Sequence, residues 1–386
     1  MNTFELDKTY IANTYARFPV EIVSGQGALC RDADGNEYID LGTGIGVNIF
    51  GYADAQWISA VTAQLNAVQH TSNLYYSAPC ARLAGMLCQK TGMKKVFFSN
   101  SGAEANECAI KAARKYAADR RGGEYHVIVT LKNSFHGRTL ATLAATGQET
   151  FHAHFGPMPE GFAYAEANNI EDLRRVVLSH KTAGIFIEAV QGEGGVLPLT
   201  PEFAKAAEEL ARERDLLLMC DEVQIGNGRS GAFYGYMNLG ITPDVVTTAK
   251  GLGGGLPIGA TLLGARAAEV FSPGLNGSTF GGNPVAAAGA INIVGRIDEA
   301  LLAGVREKSK YLFDALGNAP GVQNMTGMGL MIGIKPQREA GEVIEKCRAG
   351  GVLVIKAKDK LRLLPPLNID KGLLEQAVHI MKGALK

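Results

Sequence analysis

From about residue 94 the chain alternates short apolar runs of strand type with longer helical patterns, and this alternation constrains the fold more than any other feature. KKVFFS (94–99) is followed by AEANECAIKAARKYAA (103–118) and then by HVIVTL (126–131). TAGIFIEAV (182–190) leads to Thr200 and Pro201, an expected N-cap and first helical position for PEFAKAAEELARER. LLLMCDEV (216–223), PDVVTTAK (243–250) and IGATLLG (258–264) continue the series. Strands this continuously apolar predict an α/β fold with a mostly parallel sheet covered by helices on both faces. After Pro284 the texture changes: AAAGAINIVGRIDEALLAGVREKSKYLFDAL reads as long helix, and the remainder reads as a smaller α+β unit.

Charge and cysteine usage exclude several classes. Lys and Arg total 38 against 38 Asp and Glu, with no basic block, so nucleic acid is not an expected partner. The six cysteines show no C-x-x-C spacing, which argues for a reducing, cytoplasmic setting and against a disulfide framework or thiolate zinc site. His152 and His154 lack a nearby third ligand, so no metal is expected. The opening MNTFELDKTY has no apolar core of a secretory signal. The two longest stretches without Asp, Glu, Lys or Arg, 55–81 and 270–295, are interrupted by amides or prolines, so no membrane span is expected either. Glycine is the compositional oddity, at 48 of 386 residues, about 12 % against roughly 7 % in a typical domain.

The residue that speaks most for chemistry is Lys250, where an apolar strand gives way to GLGGGLPIG, the usual place for ligands in an open α/β sheet. Asp221 and Glu222 end the preceding strand, and Gln224 follows Val223. An amine able to form a Schiff base beside an acid able to pair a pyridinium nitrogen is the requirement of a pyridoxal-phosphate site. Ser99-Asn100-Ser101-Gly102-Ala103-Glu104 places small residues at a helix start, where free N–H groups and the helix dipole suit a phosphate. One motif is set aside: Gly226-Asn227-Gly228-Arg229-Ser230-Gly231 fits G-x-G-x-x-G, but AFYGYMNLGITPD follows it rather than an amphipathic helix that could face a pyrophosphate.

With these pieces in order, the sequence resembles the class III aminotransferases of the fold-type I pyridoxal-phosphate family, and among them the acetylornithine aminotransferases. The likeness runs nearly end to end, through LGTGIGVN (41–48), HTSNLYY (70–76), SNSGAEAN (99–106), SFHGRT (134–139), EAVQGEGG (188–195), DEVQ (221–224), TAKG (248–251), GSTFGGNP (277–284) and RLLPP (362–366). It implies a large cofactor-binding domain over 51–283, with a mostly parallel central sheet between helices, and a small α+β domain over 284–386 to which residues 1–50 contribute. By this resemblance Lys250 carries the cofactor and moves the substrate proton, Asp221 keeps the ring nitrogen protonated, and Phe135 and Val223 cover the ring faces. Gln224 is implied at the ring hydroxyl and Ser101, Gly102 and Ala103 at the phosphate. Ser278 and Thr279 match a segment that reaches the neighbouring subunit's phosphate, which implies a homodimer.

The resemblance also assigns two arginines to carboxylates: Arg138 to the one remote from the reacting amine, Arg362 to the α-carboxylate of glutamate, with Glu193 pairing Arg362. Tyr15 is implied near the substrate, with Asn73 and Tyr75 as further candidates. Gly44 stands where ornithine δ-aminotransferases usually carry tyrosine, leaving room for an acyl group. The implied reaction moves the δ-amino group of N-acetylornithine to 2-oxoglutarate, giving N-acetylglutamate semialdehyde and glutamate, as in arginine biosynthesis. Ornithine, succinylornithine, succinyldiaminopimelate and 4-aminobutyrate aminotransferases remain alternatives, and a cofactor-binding module without turnover is a different class. Tyr52, Ala189 and Ile225 depart from the common pattern without removing a catalytic group. Seven glycine-rich segments of the chain (41–48, 99–106, 134–139, 188–195, 221–229, 250–255, 277–284) hold 17 glycines in 53 residues, and they are expected to converge around Lys250.

Overall fold

The computed structural model describes all 386 residues. Its centre is a seven-stranded sheet made of β1 (Lys95–Ser99), β2 (Val127–Leu131), β3 (Phe162–Ala165), β4 (Thr182–Glu188), β5 (Leu217–Asp221), β6 (Val245–Thr248) and β7 (Gly259–Leu263). The spatial order is β1-β7-β6-β5-β4-β2-β3. Only β7 opposes the others, being antiparallel to both β1 and β6. Six strands therefore end at one edge, and Ser99, Leu131, Glu188, Asp221 and Thr248 all lie there.

Strand side chains alternate between two covered faces. Leu217, Met219, Phe186 and Val245 pack with Ala109, Ala112, Ala113 and Tyr116 of helix α1 (Gly102–Arg121). Leu218, Cys220, Ile185 and Ile187 face the opposite way, into the main core with α2 (Ile170–Leu178) and α3 (Pro201–Glu213). Thr200 caps α3, its hydroxyl accepting from the Phe203 amide at 3.2 Å. Asp221 shares the α1 face with Leu217 and Met219, and α1 can therefore reach it from above.

The expected long helix after Pro284 is two helices, Pro284–Arg296 and Glu299–Leu316. Ile297 leaves helical geometry and Asp298 starts a new helix, accepting from the Leu301 amide at 2.8 Å, so a local cap overrides a continuous apolar pattern. Pro284–Arg296 packs on Ala55–Ala67 and Ala78–Thr91. A four-stranded antiparallel sheet joins Val322–Met328, Met331–Pro336, Lys360–Leu363 and Ile355–Ala357, with Ala340–Ala349 and Glu299–Leu316 against it and Lys371–Leu385 packed on those two helices. Near the start of the chain, Ile22–Gln26, Leu29–Asp32 and Glu37–Asp40 form a further sheet, whose last strand pairs in parallel with Val352–Leu353. No helix is long and apolar enough to cross a membrane.

Candidate active site

A cavity of about 460 Å³ opens at the edge where the parallel strands end. Its wall includes Ser101, Gly102, Ala103, Phe135, Arg138, Glu188, Glu193, Asp221, Val223, Gln224 and Lys250. Six of the seven glycine-rich segments contribute residues to it; 277–284 does not, and its link is the Ser278 hydroxyl accepting from Asn100 Nδ2 at 3.2 Å.

Lys250 lies beyond the end of its strand, in a 3₁₀ turn over Lys250–Leu252, with φ at +45°. A non-glycine residue in the left-handed region is held there by its surroundings at a cost of about 1–3 kcal/mol. Burial pulls its amine below the ordinary lysine range, against the opposing pull of Glu193 and Asp221. Asp221 is 5 % exposed, and three donors fix it. Asn106 Nδ2 and His136 Nδ1 each lie 2.8 Å from Oδ2, and the Val223 amide donates to Oδ1 at 3.0 Å. The His136 ring stacks on Phe186 at 4.3 Å, and Asn106 Nδ2 also donates to the His136 carbonyl at 2.7 Å. The carboxylate is thus locked in direction before anything binds. Its register neighbour Glu188 accepts from the Phe135 amide at 2.9 Å, and burial, then the charge of Asp221, push its carboxyl well above the usual range.

On the facing side Arg362, only 3 % exposed, meets Glu193, Nη1 to Oε1, at 2.5 Å. Gln224 bridges them, donating from Nε2 to Glu193 at 3.2 Å and accepting from Arg362 at 2.9 Å. Burial raises the Glu193 carboxyl, but Arg362 outweighs it and holds the group below its ordinary value. Arg138 contrasts with this: no carboxylate lies within ion-pair reach, and its guanidinium sits over the Phe151 ring at 4.3 Å.

Residues 10–385 match the family described as aminotransferase class-III. The chain belongs to the class-III aminotransferases. This aminotransferase is 47 % identical over 383 residues to the acetylornithine aminotransferase of Haemophilus ducreyi, covering 99 % of this chain and 98 % of the other. Among solved structures, the ornithine aminotransferase of Toxoplasma gondii ME49 superposes with a TM-score of 0.95 at 29 % identity, over 99 % of this chain and 94 % of that one. The N-acetylornithine aminotransferase of Stenotrophomonas maltophilia K279a superposes at 0.86 with 34 % identity, over 99 % and 98 %.

The cofactor of this aminotransferase is pyridoxal phosphate, and the cavity's residues suit it. A Cβ on Gly102 would come within 2.6 Å of Val223 Cγ1, so the α1 terminus approaches Val223 closely only because Gly102 has no side chain. Ser101 caps α1 by accepting from the Glu104 amide at 3.2 Å, while the first-turn amides of Gly102 and Ala103, two residues of the cavity wall, have no intrahelical acceptor. Asp221 offers a directed anion for a ring N–H, and Lys250 an amine.

Among residues named from the sequence, Ser101, Gly102, Ala103, Phe135, Arg138, Glu193, Asp221, Val223, Gln224 and Lys250 line this one cavity, and Arg362 reaches it through Glu193 and Gln224. Tyr15 and Gly44 lie elsewhere, in a second cavity of about 600 Å³ shared with Arg17, Phe18 and Tyr52. Thr279 is exposed and Ser278 half-buried outside the wall. Asn73 does not face the cavity but donates to the Ser278 and Gly281 carbonyls at 2.9 and 3.0 Å, while Tyr75 is exposed. Sequence reasoning missed His136, Asn106 and Glu188 as site residues. All three fall inside motifs quoted from the sequence, but no local signal links them to Asp221, from which Asn106 and His136 stand 115 and 85 residues away.

Proposed function

We propose that this aminotransferase moves the δ-amino group of N-acetylornithine to 2-oxoglutarate, giving N-acetylglutamate semialdehyde and glutamate. The observation that carries the reading is the contrast between the two arginines: Arg138 open in the cavity, Arg362 neutralised by Glu193. A donor whose amine is remote from its carboxylate needs one free guanidinium and no second charge beside the reacting carbon. An unpaired buried Arg362 would be costly there, and Glu193 removes that cost. A dicarboxylate acceptor needs both arginines, so Glu193 turns away when it binds. The acyl group is supported by acetylornithine aminotransferases 38–47 % identical over nearly the whole chain.

Bound pyridoxal phosphate supplies an electron sink and carries the amino group between the two half-reactions. Lys250, its amine depressed by burial, holds the cofactor and then moves the proton at the substrate carbon. Asp221, oriented by His136 and Asn106, holds the ring N–H proton. Phe135 and Val223 cover the ring faces, Gln224 serves its hydroxyl, and Ser101, Gly102 and Ala103 bind phosphate. Residues 51–283 form the cofactor-binding domain, and 284–386 with 1–50 the small one. Two copies associate, each lending Ser278 and Thr279 to its partner's phosphate, and six free thiols suit a cytoplasmic setting.

The test is a panel of single half-reactions on the loaded enzyme, following the cofactor's visible spectrum with acetylornithine, succinylornithine, ornithine, 4-aminobutyrate and succinyldiaminopimelate added separately. Acetylornithine should react fastest; free ornithine reacting fastest would overturn the assignment.

A further inference from the structure

The G-x-G-x-x-G segment, residues 226–231, does not face the cavity, yet it is built like a working part. It follows Gln224 along the chain and carries three buried polar side chains: Ser230, Asn227 at 1 % exposure and Arg229 at 0 %. Asn227 Nδ2 donates to the Thr248 hydroxyl at 3.0 Å and the Ala249 carbonyl at 3.3 Å, the two residues just before Lys250. Arg229 Nη1 donates to the Leu330 carbonyl at 3.1 Å and the Pro365 carbonyl at 2.9 Å. Pro365 lies three residues beyond Arg362, two residues past the end of its strand. The Leu330 amide returns a bond to the Arg229 carbonyl at 2.8 Å, across a gap that Gly329 alone permits, since a Cβ there would stand 2.2 Å from that oxygen.

Arg229 has no carboxylate partner, and its Nε and Nη2 have no acceptor. Burial without a counter-ion drives its guanidinium well below the ordinary range. A well-packed apolar side chain would be the cheaper occupant of such a position. What a guanidinium adds is reach and direction: one rigid fork holding two carbonyls from separate parts of the chain.

We propose that loop 226–231 is a brace that sets the separation between the Lys250 amine and the Arg362 guanidinium, with Asn227 and Arg229 as positioning residues for the two ends. The inference rests on the reading of Arg362 as the site for the α-carboxylate of the dicarboxylate substrate. That carboxylate must meet Arg362 while the adjacent carbon meets Lys250, so a slack brace penalises glutamate and 2-oxoglutarate. The ω-amine donor is anchored by Arg138, on a segment the brace does not touch, and is penalised less.

The experiment compares holoenzyme carrying Arg229→Met, Arg229→Lys and Asn227→Ala with the parent and with Arg362→Lys. Each is measured in the two half-reactions, by calorimetric titration with glutarate, a non-reacting dicarboxylate, and by thermal melting. Arg229→Met should raise KM for 2-oxoglutarate and weaken glutarate binding by about ten- to a hundredfold, with a clearly smaller loss in the donor half-reaction. Arg229→Lys, which retains one donor group, should recover part of the selectivity. Equal losses in both half-reactions that follow the melting temperature, or no change in glutarate affinity, would overturn the brace. Should Arg229→Met not fold, Arg229→Lys and Asn227→Ala decide by the same ratio. If Arg362→Lys itself leaves KM for 2-oxoglutarate unchanged, the reading of Arg362 has failed; if Arg362→Lys raises it and the loop variants do not, only the brace has.

Discussion

Glu193 is the residue whose chemistry depends most on one contact. Its carboxylate, 2.5 Å from Arg362 and held below its ordinary titration range, neutralises a guanidinium that is 3 % exposed. Truncating one partner of a buried charge pair leaves the other uncompensated, typically at about 2–5 kcal/mol. Glu193→Ala should therefore slow the ω-amine donor half-reaction by about tenfold or more while sparing or favouring glutamate, as read by single-turnover spectra. An unchanged ratio between the two half-reactions would refute the switch. Lys250 and Asp221 were legible as single residues because charged groups at apolar strand ends are conspicuous, and Glu193 only through the motif that carries the family resemblance. His136 and Asn106 were not, because nothing in a one-dimensional pattern says that a helix residue and a loop histidine will meet one carboxylate.

At the scale of elements, five of the six parallel strands were legible to within two residues, since their runs are apolar on both faces; the four-residue Phe162–Ala165 was not read as a strand. Thr200 and Pro201 announced their helix equally well. The break at Asp298 was hidden because the apolar pattern continues through it, and the cap competes only locally. The meeting of the α1 terminus with Val223 depends on a missing Cβ. Gly102→Ala would put one 2.6 Å from Val223 Cγ1, and overpacking of this kind costs about 1–3 kcal/mol. The variant should bind pyridoxal phosphate about tenfold more weakly by fluorescence titration, because Val223 must move into the cavity. Unaltered cofactor affinity would show that the two elements have room to separate.

At the scale of the whole molecule, Leu74, Tyr75, Tyr76 and Phe280 are exposed beside one another, tied by Asn73 to the 278–281 turn. Large apolar side chains grouped this way suit a subunit interface, and the turn holds the residues proposed to reach the partner's phosphate. Phe280→Glu should shift sedimentation from dimer toward monomer and release pyridoxal phosphate in parallel; a monomeric variant with full cofactor affinity would refute the shared site. By itself the sequence determined the fold class, the family and the chemical inventory, because strand hydrophobicity and ordered motifs are local properties of the chain. Only the tertiary structure decided which motifs share a wall: it separated Tyr15 and Gly44 from Lys250, added His136 to Asp221, and tied the 226–231 loop to residues 248, 249, 330 and 365. Such groupings depend on distances between segments that are not neighbours in the chain, which are settled by packing of the whole core and not by any stretch of sequence.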